Sequence, residues 1–474
     1  MAMDNQAFAI ALCFLSLYCI VHSPTAECIS SEEKYYTVGI DTFQIEEESG
    51  LNAVRRQVEV VAPQDSGKGD ADLVLTHRNP DSGLSWRNLL LKGLERDTHV
   101  VNGSLRRREF NVPIKSGRET DGPEYVVTSV IGTPGREQLL GIDTFSPLSW
   151  VQCFPCNGCS SRVNYPMYVP SNSSTFKPVR CSSSKCPPLG ANPRDISSRC
   201  NKLGFCSYAD TKGLVEGSQG VYITDTLRLG SNTFEGFYLA CAKSFTQART
   251  DRTSGRLGLG RGTLSLVSQK YGGQFSYCLP NYLSLRATGS LRLGKGSIPS
   301  SIKSFIPMQR VAGFFPNAYI VSVQDISVGG ERLNVKMQAP GGLPIITYID
   351  ASVMVSRFVQ HVFDALKYSF EQKMKKIAPG VLAAKPLEEF SPCYQLTSLN
   401  SVRIPTITLH FAGKVYLDVP VVGTLLQVDS NRVCFPFLPS NYAAVNIIGN
   451  VQQQGLRVAF DNPNNKIGFI PESC

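Results

Sequence analysis

Two aspartates in this 474-residue chain are placed for paired-carboxylate chemistry: Asp143 in "GIDTFSPLSW" and Asp350 in "TYIDASVMVSRF". Each follows an apolar run and precedes small or polar residues, and they stand 207 positions apart. Two carboxylates a few ångströms apart share one proton. The ionised one activates a water, the protonated one donates to a carbonyl, and mutual repulsion splits their titration. That is chemistry suited to hydrolysing a peptide bond.

Other chemistries lack their parts. There is no G-x-S-x-G and no H-E-x-x-H, and the five histidines form no cluster. "GSLRLGKG" (289–296) imitates a P-loop, but Gly296 stands where the Mg²⁺-binding hydroxyl belongs, in a strand-like run. The C-x2-C-x2-C run at 153–159 has no histidine nearby, so disulfides are expected there and no metal. No cofactor is expected.

The elements that must position the aspartates are strands. From Tyr125 onward, short β-rich runs alternate with glycine, proline and asparagine: "EYVVTSVIGTP", "QGVYITDTLRLG", "TGSLRLGKG", "AYIVSVQDISVGG", "RIPTITLHFAG" and "KVYLDVPVVG". One helix stands out at 361–377, with Val362, Leu366, Phe370 and Met374 on one face. The expected fold is mainly β and bilobal, with a cleft between the lobes and one aspartate from each. A less regular stretch around 300–318 divides lobes at 121–312 and 313–474.

Ahead of the body, 1–26 reads as a secretory signal, with an uncharged apolar run at 7–21 and small residues at Thr25-Ala26. Residues 27–120 read as a pro-segment: charged, without cysteine after Cys28, and carrying a basic run "LRRREF" where processing could occur. Residues 1–120 hold 13 Lys and Arg against 17 Asp and Glu, while the rest hold 34 against 21, a net of +13. An acidic front would cover a basic body.

Twelve cysteines lie in the body: Cys153, Cys156, Cys159, Cys181, Cys186, Cys200, Cys206, Cys241, Cys278, Cys393, Cys434 and Cys474. In an exported chain they imply six disulfides of unspecified pairing. Asn102 and Asn172 head glycosylation sequons. Export to the extracellular space or vacuole follows, with no membrane span after signal removal. A monomer is expected. Nucleic acid is not an expected partner, because no arginine-rich helix or aromatic-basic repeat supports it.

From about 123 to 474 the chain resembles the plant nepenthesin-type branch of the pepsin-like aspartic proteases, including the chloroplast-nucleoid DNA-binding protease-like group. "SGRLGLGRGTLSLVSQ", "QFSYCLP", "VQDISVGGERL" and "IIGNVQQQGLRVAFDNPNNKIGFIPESC" carry the resemblance. It implies Asp143 and Asp350 as the catalytic dyad, a peptide or protein ligand in the cleft, and a pro-segment as an intramolecular partner.

The loops depart from that pattern. Where the family reads Asp-Thr-Gly-Ser, this chain has Asp143, Thr144, Phe145 and Ser146; where it reads Asp-Ser-Gly-Thr, the chain has Asp350, Ala351, Ser352 and Val353. Phe145 is expected to bring a benzyl group beside the partner aspartate or into the water site. Ala351 and Val353 have lost hydroxyls that hold the loops. Lys212 stands at the position of the flap tyrosine, with Tyr208 and Tyr222 out of register. These changes point to a weak or inactive protease, or to a non-catalytic binding or inhibitor protein like the plant xylanase inhibitors.

Overall fold

A computed structural model describes residues 35–38, 71–77, 125–161, 167–187, 197–210, 217–230, 232–249, 253–281, 289–311, 315–395 and 402–471. The signal, most of the segment 27–120, Asn102, Lys212 and Cys474 lie outside the described residues.

The β reading holds throughout the body. Strands occupy Tyr125–Ile131, Ser218–Leu229, Gly289–Leu293, Tyr319–Val321, Val323–Val328, Val402–Pro405, Ile407–Phe411 and Val415–Asp418. Gly289–Leu293 alternates buried with half-buried residues, as side chains on a strand point to opposite faces, while Tyr319–Val321 is buried throughout. The helix is Gln360–Ile377, with Val362, Leu366, Phe370 and Met374 all buried. "KVYLDVPVVG" departs from expectation at its end. Val421–Thr424 turns into a short helix behind Pro420, whose fixed φ and missing N–H suit a helix start and not a ladder.

One fifteen-stranded sheet runs from the closing strands of the chain into the first lobe. Its order passes from Lys466–Pro471 through Leu456–Asp461, Gln274–Cys278 and Gly289–Leu293 to Ala71–His77 and then Tyr125–Ile131. The second lobe is built on a five-stranded sheet, ordered Tyr319–Val321, Ile346–Ile349, Val445–Ile448, Ser356–Phe358, Phe437–Pro439. Two four-stranded sheets accompany it.

Two strands come from the stretch read as a pro-segment. Ala71–His77 pairs antiparallel with Gly289–Leu293 over five residues and with Tyr125–Ile131 over two. Tyr35–Val38 pairs antiparallel with Val402–Pro405 in the second lobe.

Disulfides link Cys153 to Cys241, Cys156 to Cys159, Cys181 to Cys200, Cys186 to Cys206 and Cys393 to Cys434. Cys278 is also disulfide-bonded. The short loop closed between Cys156 and Cys159 makes the sequence run 153–159 a split pair: its first cysteine reaches 88 residues away. Asn172 sits exposed at the end of a 3-10 turn, Pro170–Asn172.

Candidate active site

The same local architecture presents both aspartates. In the first lobe, strand Arg136–Asp143 ends on Asp143 and runs parallel to Gly255–Gly258, which is antiparallel to Trp150–Asn157. In the second, strand Ile346–Ile349 leads into Asp350 and runs parallel to Val445–Ile448, which is antiparallel to Ser356–Phe358. Each aspartate loop is thus threaded across a strand from later in the chain. The two loops meet directly: the Ala351 N–H donates to Thr144 Oγ1 at 2.9 Å. Thr144 therefore joins the lobes through its own side chain. Ala351 has no hydroxyl with which to return the bond.

Around Asp143 the backbone supplies the contacts. The N–H groups of Phe145 and Ser146 both donate to its Oδ1 at 2.8 Å. The carboxyl is pushed up to about 7, first by burial and next by the charge of Asp350. The Ser146 N–H, the Arg256 guanidinium and the Phe145 N–H pull the other way without prevailing. Asp143 and Asp350 are thus close enough to disfavour joint ionisation, as proton sharing requires.

Asp350 is fully buried and held differently. Its Oδ1 accepts from the Ser352 N–H at 2.8 Å and from the Ser352 hydroxyl at 2.7 Å. The hydroxyl missing at Val353 is thus supplied from one position earlier. Val353 itself is buried in an apolar cluster with Phe145, Ile320, Ile346, Tyr348, Val445 and Ile447.

Phe145 finds a place in that cluster, which belongs to the second lobe. Its ring is 8% exposed, 5.1 Å from the ring of Tyr348 and 5.4 Å from that of Phe315. The benzyl group is taken up by apolar surface across the lobe boundary, two residues from Asp350 along the chain. Lys212 lies outside the described residues. Tyr208 and Tyr222 are committed to packing: they face each other at 5.4 Å, both buried, and the Tyr208 hydroxyl lies 3.1 Å from Ser218 Oγ.

Several residues were not singled out from the sequence. Arg256, 3% exposed, pairs in register with Gly141, where a Cβ would come within 2.4 Å of its Nη1. The missing side chain makes room for a guanidinium near Asp143. Beneath the second loop lies a turn of buried amides, Asn450–Gln453. Asn450 Nδ2 donates to the Ala351 carbonyl at 3.0 Å, and Gln453 Nε2 to the Ile448 carbonyl at 2.9 Å and the Asp350 carbonyl at 3.4 Å. Gln452 Oε1 accepts from the Ser356 N–H and hydroxyl, both at 2.8 Å. The Tyr277 hydroxyl, on a central strand, donates to Gln453 Oε1. The sequence signal was present in "NVQQQG", polar residues placed directly after an apolar strand. Buried amides survive only with partners.

Comparison with known proteins agrees with this geometry. The family model "Xylanase inhibitor N-terminal" matches residues 125–295, and "Xylanase inhibitor C-terminal" matches 318–471. Aspartyl protease 25 of Oryza sativa subsp. japonica is 33% identical over 430 residues, covering 85% of this chain and 95% of the relative. Aspartic proteinase nepenthesin-2 of Nepenthes gracilis is 28% identical over 439 residues, covering 88% and 95%. The crystal structure of Basic 7S globulin from soybean shares the fold, with a TM-score of 0.59 at 18% identity over 85% of this chain and 97% of that one. The chain belongs to the plant branch of the pepsin-like aspartic protease family.

Proposed function

We propose that this protein binds a peptide between its lobes and hydrolyses it weakly through the Asp143/Asp350 dyad. The observation that carries the reading is the mutual effect of the two carboxylates: Asp350 helps raise Asp143 to about 7. The pair therefore holds one proton in acid, the state in which one carboxylate activates water and the other donates. Thr144 ties the loops together, and Ser352 supplies a hydroxyl to Asp350. Weak turnover follows from Phe145, because its ring ties the first loop to the apolar cluster of the second lobe, and a shift of a catalytic group by about 1 Å can cost about a hundredfold.

A second reading, a binding or inhibitor protein without turnover, is favoured by that same ring. Packed against Tyr348 and Phe315, it ties the first loop to the second lobe. Under either reading the chain is exported to the extracellular space or vacuole, the leading segment acts as an intramolecular partner through its two strands, and the body is a monomer.

The deciding experiment is cleavage of a denatured protein between about pH 3 and 6, the range in which a shared-proton dyad operates. It compares the parent with Asp143→Ala and with a Phe145→Gly/Ala351→Ser/Ser352→Gly variant. Slow cleavage by the parent that disappears in Asp143→Ala is expected. A silent parent beside an active triple variant would establish the binding reading instead.

A further inference from the structure

Among the buried arginines, Arg357 stands apart. It is 2% exposed, and its guanidinium makes one hydrogen bond, Nη1 to the Pro439 carbonyl at 3.3 Å. Its Nε and Nη2 are buried without a hydrogen-bond partner, and among the described residues no carboxylate pairs with it. Two other buried arginines have side-chain or ring partners. Arg457 donates to Ser276 Oγ at 3.1 Å and to Ser290 Oγ at 2.7 Å. Arg249 stacks over Trp150 at 4.5 Å and donates to Thr253.

The unanswered atoms have a definite geometry. Nε and Nη2 form one edge of the guanidinium, and their N–H bonds point the same way. That edge is the fork that grips both oxygens of a carboxylate. Nη1, on the other side, is anchored to backbone, so the fork is held and aimed.

Its location is set by strand register. Arg357 lies directly opposite Ile447 on one neighbour and Leu438 on the other, and Ile447 lies opposite Tyr348. Cross-strand partners share a sheet face. Arg357 is therefore on the face that bears Tyr348, against which Phe145 packs from the first loop. Asp350 follows Tyr348 by two residues, on the same alternation. The fork belongs to the side of the sheet that faces the aspartates.

A buried guanidinium with no anion is costly, since desolvation is uncompensated. We infer that Arg357 is a carboxylate receptor in the second-lobe wall of the cleft, taking an acidic group of a bound peptide on its Nε/Nη2 edge. The inference rests on the peptide-binding reading, and it adds a preference: acidic over isosteric neutral side chains at one ligand position. Its register partners Ile447 and Leu438 are apolar, and a low-dielectric setting strengthens the grip on a charge.

The test uses the full chain with Arg357→Met and Arg357→Lys. Melting temperatures are compared in sodium acetate and sodium chloride at equal ionic strength, above the acetic acid pKa. In parallel, each protein is screened against a peptide library in matched Glu and Gln forms. Acetate is expected to raise the parent's melting temperature above its value in chloride, and neither variant is expected to respond. Library peptides that bind the parent are expected to prefer Glu over Gln by about tenfold, as an added charge-assisted pair implies. Arg357→Met should lose that preference.

A parent that distinguishes neither acetate from chloride nor Glu from Gln overturns the inference, most plainly if Arg357→Met also melts higher. The reading beneath it fails separately: no peptide binding by any of the three proteins, with the acetate response intact, leaves the receptor standing and removes the peptide. If Arg357→Met does not fold, Arg357→Lys decides, because it keeps the charge and removes the fork.

Discussion

The two aspartate loops are built on one plan and secured by different means. In both, a serine six residues after the aspartate accepts the N–H of a glycine that ends or directly follows the crossing strand: Ser149 from Gly258 at 3.0 Å, and Ser356 from Gly449 at 3.1 Å. In both, that glycine is packed on backbone. A Cβ at Gly258 would come within 2.6 Å of Pro147 C, and one at Gly449 within 2.5 Å of Val355 C. The loops differ one residue after the aspartate, where Thr144 accepts the Ala351 N–H, and again two residues after it. In the second loop Ser352 turns inward and bonds the carboxylate. In the first, Phe145 keeps its backbone N–H on Asp143 but sends its ring into the other lobe. The second loop thus bonds its carboxylate with its own serine hydroxyl, while the first also rests its ring on the apolar cluster of its neighbour. A change of side chain is judged by where that side chain can go.

The pH dependence of stability separates the loops most strongly. Asp143 is raised from 3.8 to about 7 on folding, so folding favours its protonated form. That contribution is full below the unfolded value and is lost as pH rises through about 7. Urea midpoints should therefore fall between about pH 4 and 7.5, with a slope of up to ~1.4 kcal/mol per unit and a total on the order of 4 kcal/mol. Asp143→Asn should flatten the curve; an unchanged slope would mean that the first loop does not hold the shared proton.

Next in size is Phe145→Ala, expected to cost about 3 kcal/mol because a buried ring leaves a cavity at the lobe boundary. Equilibrium unfolding should detect it, and a loss under about 0.5 kcal/mol, the range of an ordinary surface change, would refute the dependence of the first loop on the second lobe. Gly258→Ala and Gly449→Ala test the shared plan. Each should cost about 2–3 kcal/mol by forcing backbone apart, and by similar amounts. Strongly unequal losses would show that the crossings are not equivalent.

The smallest effects concern single hydroxyls. Thr144→Val leaves the Ala351 N–H without its acceptor and should cost about 1–2 kcal/mol in unfolding free energy. Ser352→Ala should cost about 1 kcal/mol and lift the apparent carboxylate titration measured by NMR, because the ionised form of Asp350 loses a donor. Titration unmoved by Ser352→Ala would remove the compensation assigned to that residue.

Local pattern was enough for the scaffold. Apolar spacing placed the helix within one residue of its observed start, and β-rich runs marked strands in both lobes, while the strands that end at the aspartates read only as apolar runs. Asp143 and Asp350 were identifiable because a short motif accompanied each. What escaped notice depends on partners distant in the chain. Tyr277 and Gln453 are 176 residues apart, and nothing near either one names the other. Arg256 is not legible in the sequence, because a charged residue inside "SGRLGLG" matters only once Gly141 opens a space beside it. Ser352 read as a lost glycine, when it is a gained hydroxyl. Spacing locates an element, but only the fold shows what a side chain meets.

The strand Ala71–His77 has a consequence for how this protein would be handled. It is seated between Gly289–Leu293 and Tyr125–Ile131, in the middle of a sheet rather than at its margin. A cut in the basic run near residue 106 would sever the chain without unseating that strand, because its ladder is independent of the covalent link. The nicked molecule would keep the mass of the whole in native solution and separate into two fragments under denaturing conditions. Gel bands would then report where the chain was cut, and native mass whether anything had left.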